Sequence, residues 1–150
     1  MLILIINGPN LNMLGVLRDQ AHYGDKTLDE IIKMLQDYAK ELGENLELKF
    51  IQSNHEGVLL DFIQDERNAD ALIINPGALA HYSYALRDAL ADFPGVKVEV
   101  HLSDISARED FRRISVTRDV CDVMIMGKKE MSYKEALACA VAQVRMGKTQ

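Results

Sequence analysis

Apolar and polar positions along the chain fall into blocks that have the period of either a strand or a helix. Five short segments rich in apolar residues predict strands, and they cover residues 2–6, 46–51, 71–74, 96–100 and 120–126. Residues 2–6 and 71–74 are continuously apolar, which is typical of strands buried on both faces. Between the five segments, apolar residues recur every three or four positions, which is typical of amphipathic helices. The predicted helices cover residues 28–42, a stretch around 58–63, residues 82–93 and residues 132–146.

Thr27 and Glu30 predict where the first helix begins. A threonine followed three residues later by a glutamate forms a capping box, in which each side chain binds a backbone N–H of the other residue. Gly43 predicts the end of the same helix, because glycine readily takes the backbone conformation that closes helices. Strands that alternate with helices predict an α/β fold: one domain, residues 1–150, with a parallel sheet covered by helices on both faces.

Polar segments follow four of the predicted strands at the point where each strand ends. They are Asn7–Asn10, Ser53–Asn54, Asn75–Gly77 and His101–Ser103. The ends of parallel strands share one edge of the sheet, and ligands of doubly wound folds bind there, near the switch in strand order. We therefore expect these segments to converge on one site.

Composition and charge narrow the classes of function. The 150-residue chain is 48% hydrophobic and 27% charged, as in ordinary soluble proteins, and its net charge is −6. An acidic chain without a basic block is a poor nucleic-acid binder, and no apolar run approaches the roughly 20 residues of a membrane span. The N-terminal residues lack the basic region of a secretory leader, so a cytoplasmic location is expected. Cys121 and Cys139 lie in apolar stretches and are expected to be buried, inert thiols.

Several common chemistries lack their motif in this sequence. No G-x-G-x-x-G, P-loop or G-x-S-x-G motif is present, and no cluster of His, Cys, Asp or Glu has the spacing of metal ligands. Asn7 stands where a phospho-accepting receiver domain would carry an acidic residue. Among the four histidines, His101 is the best candidate for chemistry because it lies at a predicted strand end, and His81 is a weaker one.

The segment from Gly8 to Gly24 is long for a connection in a compact domain, at about 17 residues where 2 to 6 are usual. No regular period predicts a helix or a strand within it. Two interpretations stay open. The segment is either a disordered loop with a surface arginine, or a lid of about residues 8–26 that brings Arg18 and Tyr23 over a pocket.

The sequence also contains six segments with independent motifs, in residues 7–15, 52–57, 74–78, 85–90, 98–103 and 107–112. Together and in this order they resemble the family of type II 3-dehydroquinate dehydratases. The resemblance implies a flavodoxin-like, doubly wound five-stranded fold, a cytoplasmic subunit and a homo-oligomer, usually a dodecamer built from four trimers. It also implies the dehydration of 3-dehydroquinate to 3-dehydroshikimate in the shikimate pathway, with no metal, no cofactor and no Schiff base.

The resemblance assigns catalytic roles residue by residue. Tyr23 would remove the C2 proton beside the ketone, and His101 would protonate the departing C1 hydroxyl. Arg18 would stabilise the transition state from the lid, and Asn10 would hold a water molecule on the enolate oxygen.

The resemblance also assigns the substrate-binding positions. The substrate carboxylate and its neighbouring hydroxyl would be held by Asn75 and by the backbone of Leu102 and Ser103. The remaining hydroxyls would be bound by His81, by Arg112 and, from an adjacent subunit, by Asp88.

The reaction itself needs groups of these kinds. An enolate requires fixed hydrogen-bond donors, and a hydroxyl leaves poorly unless an acid protonates it. A phenolate is a strong base, but free tyrosine, with a pKa near 10, is only about 0.1% ionised at pH 7. One arginine about 5 Å away favours a phenolate by roughly 3 kcal/mol at an effective dielectric constant of about 20. The resemblance supplies Arg108 as such a partner for Tyr23, and Glu99 as the group that orients His101.

The chain departs from the family pattern at several places, three of which bear on the lid or on assembly. Two residues, Val16 and Leu17, precede the lid arginine where the family usually has one. Gln20 replaces the usual lid proline, which predicts a looser lid. Residues 127–133 replace a glycine-rich stretch before the last helix, a change that bears on packing and assembly.

Three alternatives stay open at this point. The first is a catabolic role in quinate breakdown. The second is a non-catalytic relative that binds a ligand at the same edge of the sheet, which a turnover assay distinguishes from an enzyme. The third is a flavin-binding electron carrier, which would need a Ser/Thr/Gly-rich phosphate loop after the first strand. Residues 8–11 do not provide one.

Overall fold

The computed structural model describes residues 1–43 and 45–147. Five parallel strands form one sheet in the order β2-β1-β3-β4-β5. The strands are β1 (Leu2–Asn7), β2 (Glu47–Gln52), β3 (Ala71–Asn75), β4 (Val96–His101) and β5 (Val123–Met126). This is the flavodoxin-like, doubly wound order, and the predicted parallel sheet is confirmed.

Helices cover both faces of the sheet, as predicted. They are α1 (Gln20–Tyr23), α2 (Leu28–Leu42), α3 (Glu56–Asp65), α4 (Tyr84–Asp92) and α5 (Glu130–Gly147). Helices α2 and α5 pack on one face, and α3 and α4 pack on the other. None of the helices within the described ranges is long and apolar enough to cross a membrane.

Strand β1 shows how one sequence serves both faces of the sheet. Ile3 and Ile5 contribute to the core beneath α2 and α5, whereas Leu4 and Ile6 contribute to the core beneath α3 and α4. All four side chains are at most 1% exposed. A strand buried on both faces has no polar positions to alternate with, which explains its continuous apolar run.

Helix α2 begins and ends where the sequence predicts. The Thr27 hydroxyl accepts a hydrogen bond from the Glu30 N–H (3.2 Å), and the Glu30 carboxylate accepts one from the Thr27 N–H (2.8 Å). Gly43 follows the last helical residue, and its N–H donates to the Ala39 carbonyl. The predicted capping box and stop signal are both confirmed.

The predicted start of the last strand is wrong by three residues. The chain makes a 3-10 turn at Arg118–Val120, and β5 begins only at Val123. Asp122 anchors this entry, since its carboxylate accepts from the Lys97 N–H (2.7 Å) and its own N–H donates to the Lys97 carbonyl (2.8 Å). An apolar run alone does not reveal such a turn.

Two predicted helix starts are also displaced. Helix α4 begins at Tyr84 instead of residue 82, because the Ser83 hydroxyl caps it by accepting from the Leu86 N–H (2.9 Å). Helix α5 begins at Glu130, two residues before the predicted start.

The two cysteines are less buried than predicted. Cys121 and Cys139 are both free and only partly buried. Burial raises the pKa of the Cys121 thiol to about 12 and also raises the pKa of Cys139. Both groups therefore stay protonated at neutral pH, as expected for inert thiols.

The loops after β1 and β3 meet at the switch in strand order. The Gly8 N–H donates to the Asn75 carbonyl (2.8 Å), and a Cβ on Gly8 would lie 2.4 Å from the Pro76 carbonyl oxygen. Only glycine allows this approach, because any side chain would push the two loops apart. The contact holds the loops after β1 and β3 together at the carboxyl edge of the sheet.

Candidate active site

A cleft opens at the carboxyl edge of the sheet. Its lining comes from the ends of β3 and β4, from the segment after β1 and from the turns after β4. The lining residues are Leu11, Arg18, Tyr23, Asn75, Gly77, Ala78, His81, His101, Leu102, Ser103, Ile105, Arg108 and Arg112. Of the four polar segments predicted to converge, those that follow β3 and β4 line the cleft, whereas Asn7–Asn10 and Ser53–Asn54 do not contribute to its lining.

Asn75, at the end of β3, is held by contacts on both ends of its side-chain amide. Its Oδ1 accepts from the Gly77 N–H (3.1 Å), and its Nδ2 donates to the Tyr133 hydroxyl (3.0 Å). The Tyr133 hydroxyl in turn donates to Oδ1 of Asn7 (2.5 Å). Tyr133 is fully buried, and burial raises its pKa, so the phenol remains protonated.

His101, at the end of β4, is paired with a buried carboxylate. Its Nε2 lies 2.6 Å from Oε1 of Glu99, which is 0% exposed. Two hydroxyls also donate to Glu99: Ser115 Oγ to Oε1 and Thr117 Oγ1 to Oε2, each at 2.7 Å.

These contacts decide the ionisation of Glu99. Burial raises the pKa of its carboxyl, but the hydrogen bond and the charge of His101, together with the hydrogen bonds from Ser115 and Thr117, outweigh it. The net pKa of Glu99 is lowered, so the carboxylate is ionised at neutral pH. A fixed, ionised Glu99 occupies one nitrogen of His101 and leaves the other for proton exchange with a ligand.

Tyr23 lies between two arginines. Arg108 Nη1 donates to the Tyr23 hydroxyl at 2.7 Å, although 85 residues separate them in the sequence. The Arg18 guanidinium carbon lies 4.2 Å from the centre of the Tyr23 ring, a cation–π distance. Two guanidinium groups therefore lie against the phenol, one at its hydroxyl and one over its ring.

The segment that carries Arg18 and Tyr23 is more ordered than predicted. A 3-10 turn (Leu11–Met13) and helix α1 lie within the stretch predicted to lack secondary structure. Asp19 caps α1 by accepting from the Ala21 N–H (2.9 Å), and its second oxygen lies 2.7 Å from His22 Nδ1. Gln20, which follows this cap, stands where the family that the sequence resembles usually has a lid proline. The cap orders the segment locally without that proline.

His81 and Arg112 form the outer part of the cleft. His81 Nδ1 lies 2.7 Å from the Ile114 carbonyl, so Nδ1 carries the hydrogen and donates it. Burial lowers the pKa of His81, which keeps the ring neutral and leaves Nε2 as an acceptor. Arg112 lies 3.0 Å from the Glu109 carboxylate, but the two groups are not aligned for a hydrogen bond. Arg112 therefore retains donors for a ligand.

The lining of the cleft is suited to a small anion that carries hydroxyl groups. Three arginines line it, namely Arg18, Arg108 and Arg112, and none of its described lining residues is a carboxylate. Guanidinium groups bind carboxylates well, and neutral His81 accepts from a hydroxyl. Among residues 1–43 and 45–147, no group of three or more His, Cys, Asp or Glu side chains could hold a metal ion.

Most of the predicted site residues line the cleft, but three do not. Glu99 lies behind His101. Asn10, which precedes the lining residue Leu11, adopts a left-handed conformation (φ 67°), and its N–H donates to Asn54 Oδ1 (2.9 Å). Asp88 is exposed on α4 and is not among the lining residues.

Sequence reasoning missed the residues that hold the site together. Ser115 and Thr117 lie in a stretch without a helical or strand period, and nothing in the pattern singles them out. Tyr133 occupies one of the buried positions of α5, so the sequence pattern predicts a core side chain and does not indicate that its hydroxyl has a partner. Asn7 carried a signal, as a polar residue that ends a buried strand, but no partner for it was predicted.

Comparisons with known proteins agree on one family. The family model described as dehydroquinase class II matches residues 1–141. A protein named 3-dehydroquinate dehydratase from Thermotoga neapolitana is 50% identical over 137 residues, which cover 91% of this chain and 92% of the relative.

Solved structures give the same result. A type II dehydroquinase from Butyrivibrio crossotus is 45% identical with a TM-score of 0.89, and the match covers 93% of this chain and 97% of that one. A type II dehydroquinase from Propionibacterium acnes is 36% identical with a TM-score of 0.84, with 91% and 93% covered.

Proposed function

The chain belongs to the class II dehydroquinase family and catalyses the dehydration of 3-dehydroquinate to 3-dehydroshikimate, a step of the shikimate pathway; we propose that it does so with the residues of the cleft at the carboxyl edge of its sheet. The observation that carries this assignment is the 2.7 Å contact of Arg108 with the Tyr23 hydroxyl, in the same cleft as the His101–Glu99 pair. The relatives reported above give no indication of a catabolic role or of a non-catalytic binding protein.

Tyr23 is the proposed base. A proton beside a ketone is weakly acidic, so its removal needs a strong base and stabilisation of the enolate that forms. Arg108 and Arg18 hold positive charge against the phenol, where it can stabilise negative charge that develops during proton transfer. Asn10, which precedes the lining residue Leu11, is the proposed anchor for a water molecule that donates to the enolate oxygen.

His101 is the proposed acid that protonates the departing hydroxyl. The ionised, buried Glu99 carboxylate lies 2.6 Å from His101 Nε2 and fixes the orientation of the imidazole ring. General acids of this kind contribute about 10²- to 10⁴-fold to the rate. Glu99 is a positioning residue, since it touches His101 and does not line the cleft.

The substrate carboxylate is proposed to bind between Asn75 and the loop of Leu102 and Ser103. Lys129 N–H donates to the Leu102 carbonyl (2.9 Å), which holds this loop against the start of α5. His81 and Arg112 lie across the cleft, where they are the proposed partners of the ring hydroxyls.

We propose that the enzyme works as a homo-oligomer of trimers, with a dodecamer as the complete assembly. Asp88 is exposed and lies outside its own cleft, which suits a role in a neighbour's site. Three large side chains near the cleft, Tyr82, Phe111 and Ile114, are 58–65% exposed, as expected for surfaces that other subunits cover. Light scattering tests this proposal, and a fully active monomer contradicts it.

We propose that residues 8–26 act as a lid and that the enzyme works in the cytoplasm. The lid proposal is supported by the position of Arg18 and Tyr23, since both side chains line the cleft and both belong to residues 8–26. The location is supported by the two free cysteines, which are usual in a reducing compartment.

Conversion of 3-dehydroquinate, followed by the enone absorbance of the product, tests the proposed roles. Wild type is expected to turn over, and Tyr23→Phe is expected to lose about 10³-fold or more in kcat while a substrate analogue still binds. Chelators and borohydride are expected to leave wild-type activity intact, because neither a metal nor a Schiff base takes part. Substantial turnover by Tyr23→Phe would assign the base to another group, with His81 the next candidate.

A further inference from the structure

Beneath the cleft, a buried chain of hydrogen bonds joins the ends of β1 and β3 to helix α5. Tyr133 is 0% exposed, and its hydroxyl lies between Asn7, 126 residues away in the sequence, and Asn75, 58 residues away. Asn7 and Asn75 are themselves only 1% and 3% exposed. Of the three, Asn75 alone lines the cleft.

The donor and the acceptor of each of these hydrogen bonds follow from the backbone N–H of Gly77, at which the series begins. The Gly77 N–H can only donate, so the oxygen of the Asn75 amide must face it (3.1 Å). Asn75 Nδ2 therefore faces Tyr133, whose hydroxyl must accept (3.0 Å). The single hydrogen of that hydroxyl then goes to Asn7 Oδ1 (2.5 Å).

This order determines what Asn75 offers to a ligand. One hydrogen of Nδ2 is used by Tyr133, and one lone pair of Oδ1 is used by Gly77. The second Nδ2 hydrogen remains for a bound oxygen atom. Without the Tyr133 hydroxyl, the amide loses the partner that opposes its rotation, and Asn7 Oδ1 loses its donor in a buried site.

We propose that Tyr133 is a positioning residue for substrate binding, which acts through Asn75 by fixing the amide with an N–H toward the substrate carboxylate. The proposal rests on the proposed function, in which Asn75 binds that carboxylate. Tyr133 does not contact the reacting atoms, so its loss affects the ground state and the transition state alike. Its effect is therefore expected in KM rather than in kcat.

A double-mutant cycle on Tyr133→Phe and Asn75→Ala tests the proposal in the full-length oligomer. We expect Tyr133→Phe to raise KM roughly 5- to 30-fold, with kcat changed less than about 3-fold. In the Asn75→Ala background, the same substitution should raise KM less than about 2-fold further, because nothing remains for Tyr133 to position. The dissociation constant of the product, measured by calorimetry, should follow the same pattern.

Tyr38→Phe is the matched control, because it removes a tyrosine hydroxyl from α2 on the same face of the sheet, outside the cleft. It should leave KM unchanged. A melting temperature for each variant separates lost stability from lost binding. If Tyr133→Phe does not fold, Asn7→Leu gives the second test, since it removes the acceptor that holds the Tyr133 hydroxyl, and it should also raise KM.

The outcomes distinguish this proposal from the function beneath it. An unchanged KM in Tyr133→Phe, or effects of Tyr133→Phe and Asn75→Ala that simply multiply, overturns the positioning role while wild-type turnover still supports the enzyme. An unchanged KM in Asn75→Ala overturns both the assigned role of Asn75 and the role of Tyr133. Absence of wild-type turnover contradicts the proposed function itself.

Discussion

The two walls of the cleft are built in different ways. The sheet wall consists of Asn75 and His101, which end buried strands and are 3% and 5% exposed. The loop wall consists of Arg18 and Tyr23, carried by a segment outside the sheet. Each residue of the sheet wall is hydrogen-bonded to a partner that is itself buried, whereas the loop wall is held by cation–π contacts and by Arg108.

This difference divides the work of the site. Groups on the sheet wall are positioned before a ligand arrives, which suits both the substrate binding proposed for Asn75 and the proton donation proposed for His101. The loop wall is held by charges that lie close to Tyr23 and by a short capped helix, in keeping with the proposed roles of Tyr23 as the base and of residues 8–26 as a lid. Changes in the loop wall should therefore act on kcat, changes behind Asn75 should act on KM, and loss of a hydroxyl that supports the buried Glu99 should lower stability.

Arg18→Ala is expected to separate the two walls most clearly, because it should lower kcat far more than it changes KM. It removes the cation 4.2 Å from the Tyr23 ring, and the contact matters most when the phenolate forms. We expect kcat to fall by ~30- to 200-fold, which corresponds to about 2 to 3 kcal/mol, with a smaller change in KM. Steady-state kinetics on 3-dehydroquinate measures both. A rise in KM at constant kcat would assign Arg18 to binding and erase the distinction between the walls.

Thr117→Val tests the support behind the sheet wall. The lowered pKa of Glu99 stabilises the fold above its ordinary value of 4.5, and this stabilisation is lost as the pH falls through the lower value in the folded state. Loss of one hydroxyl donor to a buried carboxylate should cost about 1.5 to 3 kcal/mol at neutral pH.

The measurement is the melting temperature of wild type and Thr117→Val as a function of pH. We expect a gap of about 3 to 10 °C at pH 7 that narrows below pH 4.5, where Glu99 becomes protonated. Ser106→Ala is the control, because its hydroxyl binds the exposed Asp104. A gap that does not depend on pH would mean that Thr117 acts through packing instead of the Glu99 charge.

Asp19→Ala and Thr27→Ala compare two helix caps, one in the loop wall and one outside it. Each removes a side chain that accepts from a backbone N–H, which typically costs about 0.5 to 2 kcal/mol of local stability. Asp19→Ala should lower kcat by roughly 3- to 5-fold, because α1 carries Tyr23. Thr27→Ala should lower the melting temperature and leave kcat unchanged. Equal kinetics in the two variants would show that the order of α1 does not matter for catalysis.

The sheet and its long helices were predictable because their signals are local. Buried strands such as β1 give continuous apolar runs, and Thr27 and Gly43 indicate where α2 begins and ends. Helix α1 gave no such signal, because four residues are too few to show a helical period. The turn before β5 was missed for a related reason: Val120 is apolar like a strand residue but lies in a 3-10 turn.

The site was predictable from resemblance and from the rule on strand ends, but its internal support was not. His101 could be chosen from its position alone, whereas the pairing of Tyr23 with Arg108 joins residues 85 positions apart. The contacts of Thr117 with Glu99 and of Tyr133 with Asn7 are set by tertiary packing, which periodicity does not encode.

The pH dependence of kcat/KM for wild type and Arg108→Ala tests the central claim, that Tyr23 is the base and that Arg108 favours its ionisation. Arg108 is 9% exposed and donates to the Tyr23 hydroxyl at 2.7 Å, so its loss should lower kcat/KM ~30- to 200-fold at pH 7. We expect this loss to shrink steadily as the pH rises, because hydroxide then replaces the arginine in favouring the deprotonated base. A deficit that stays constant across the pH range would contradict the central claim.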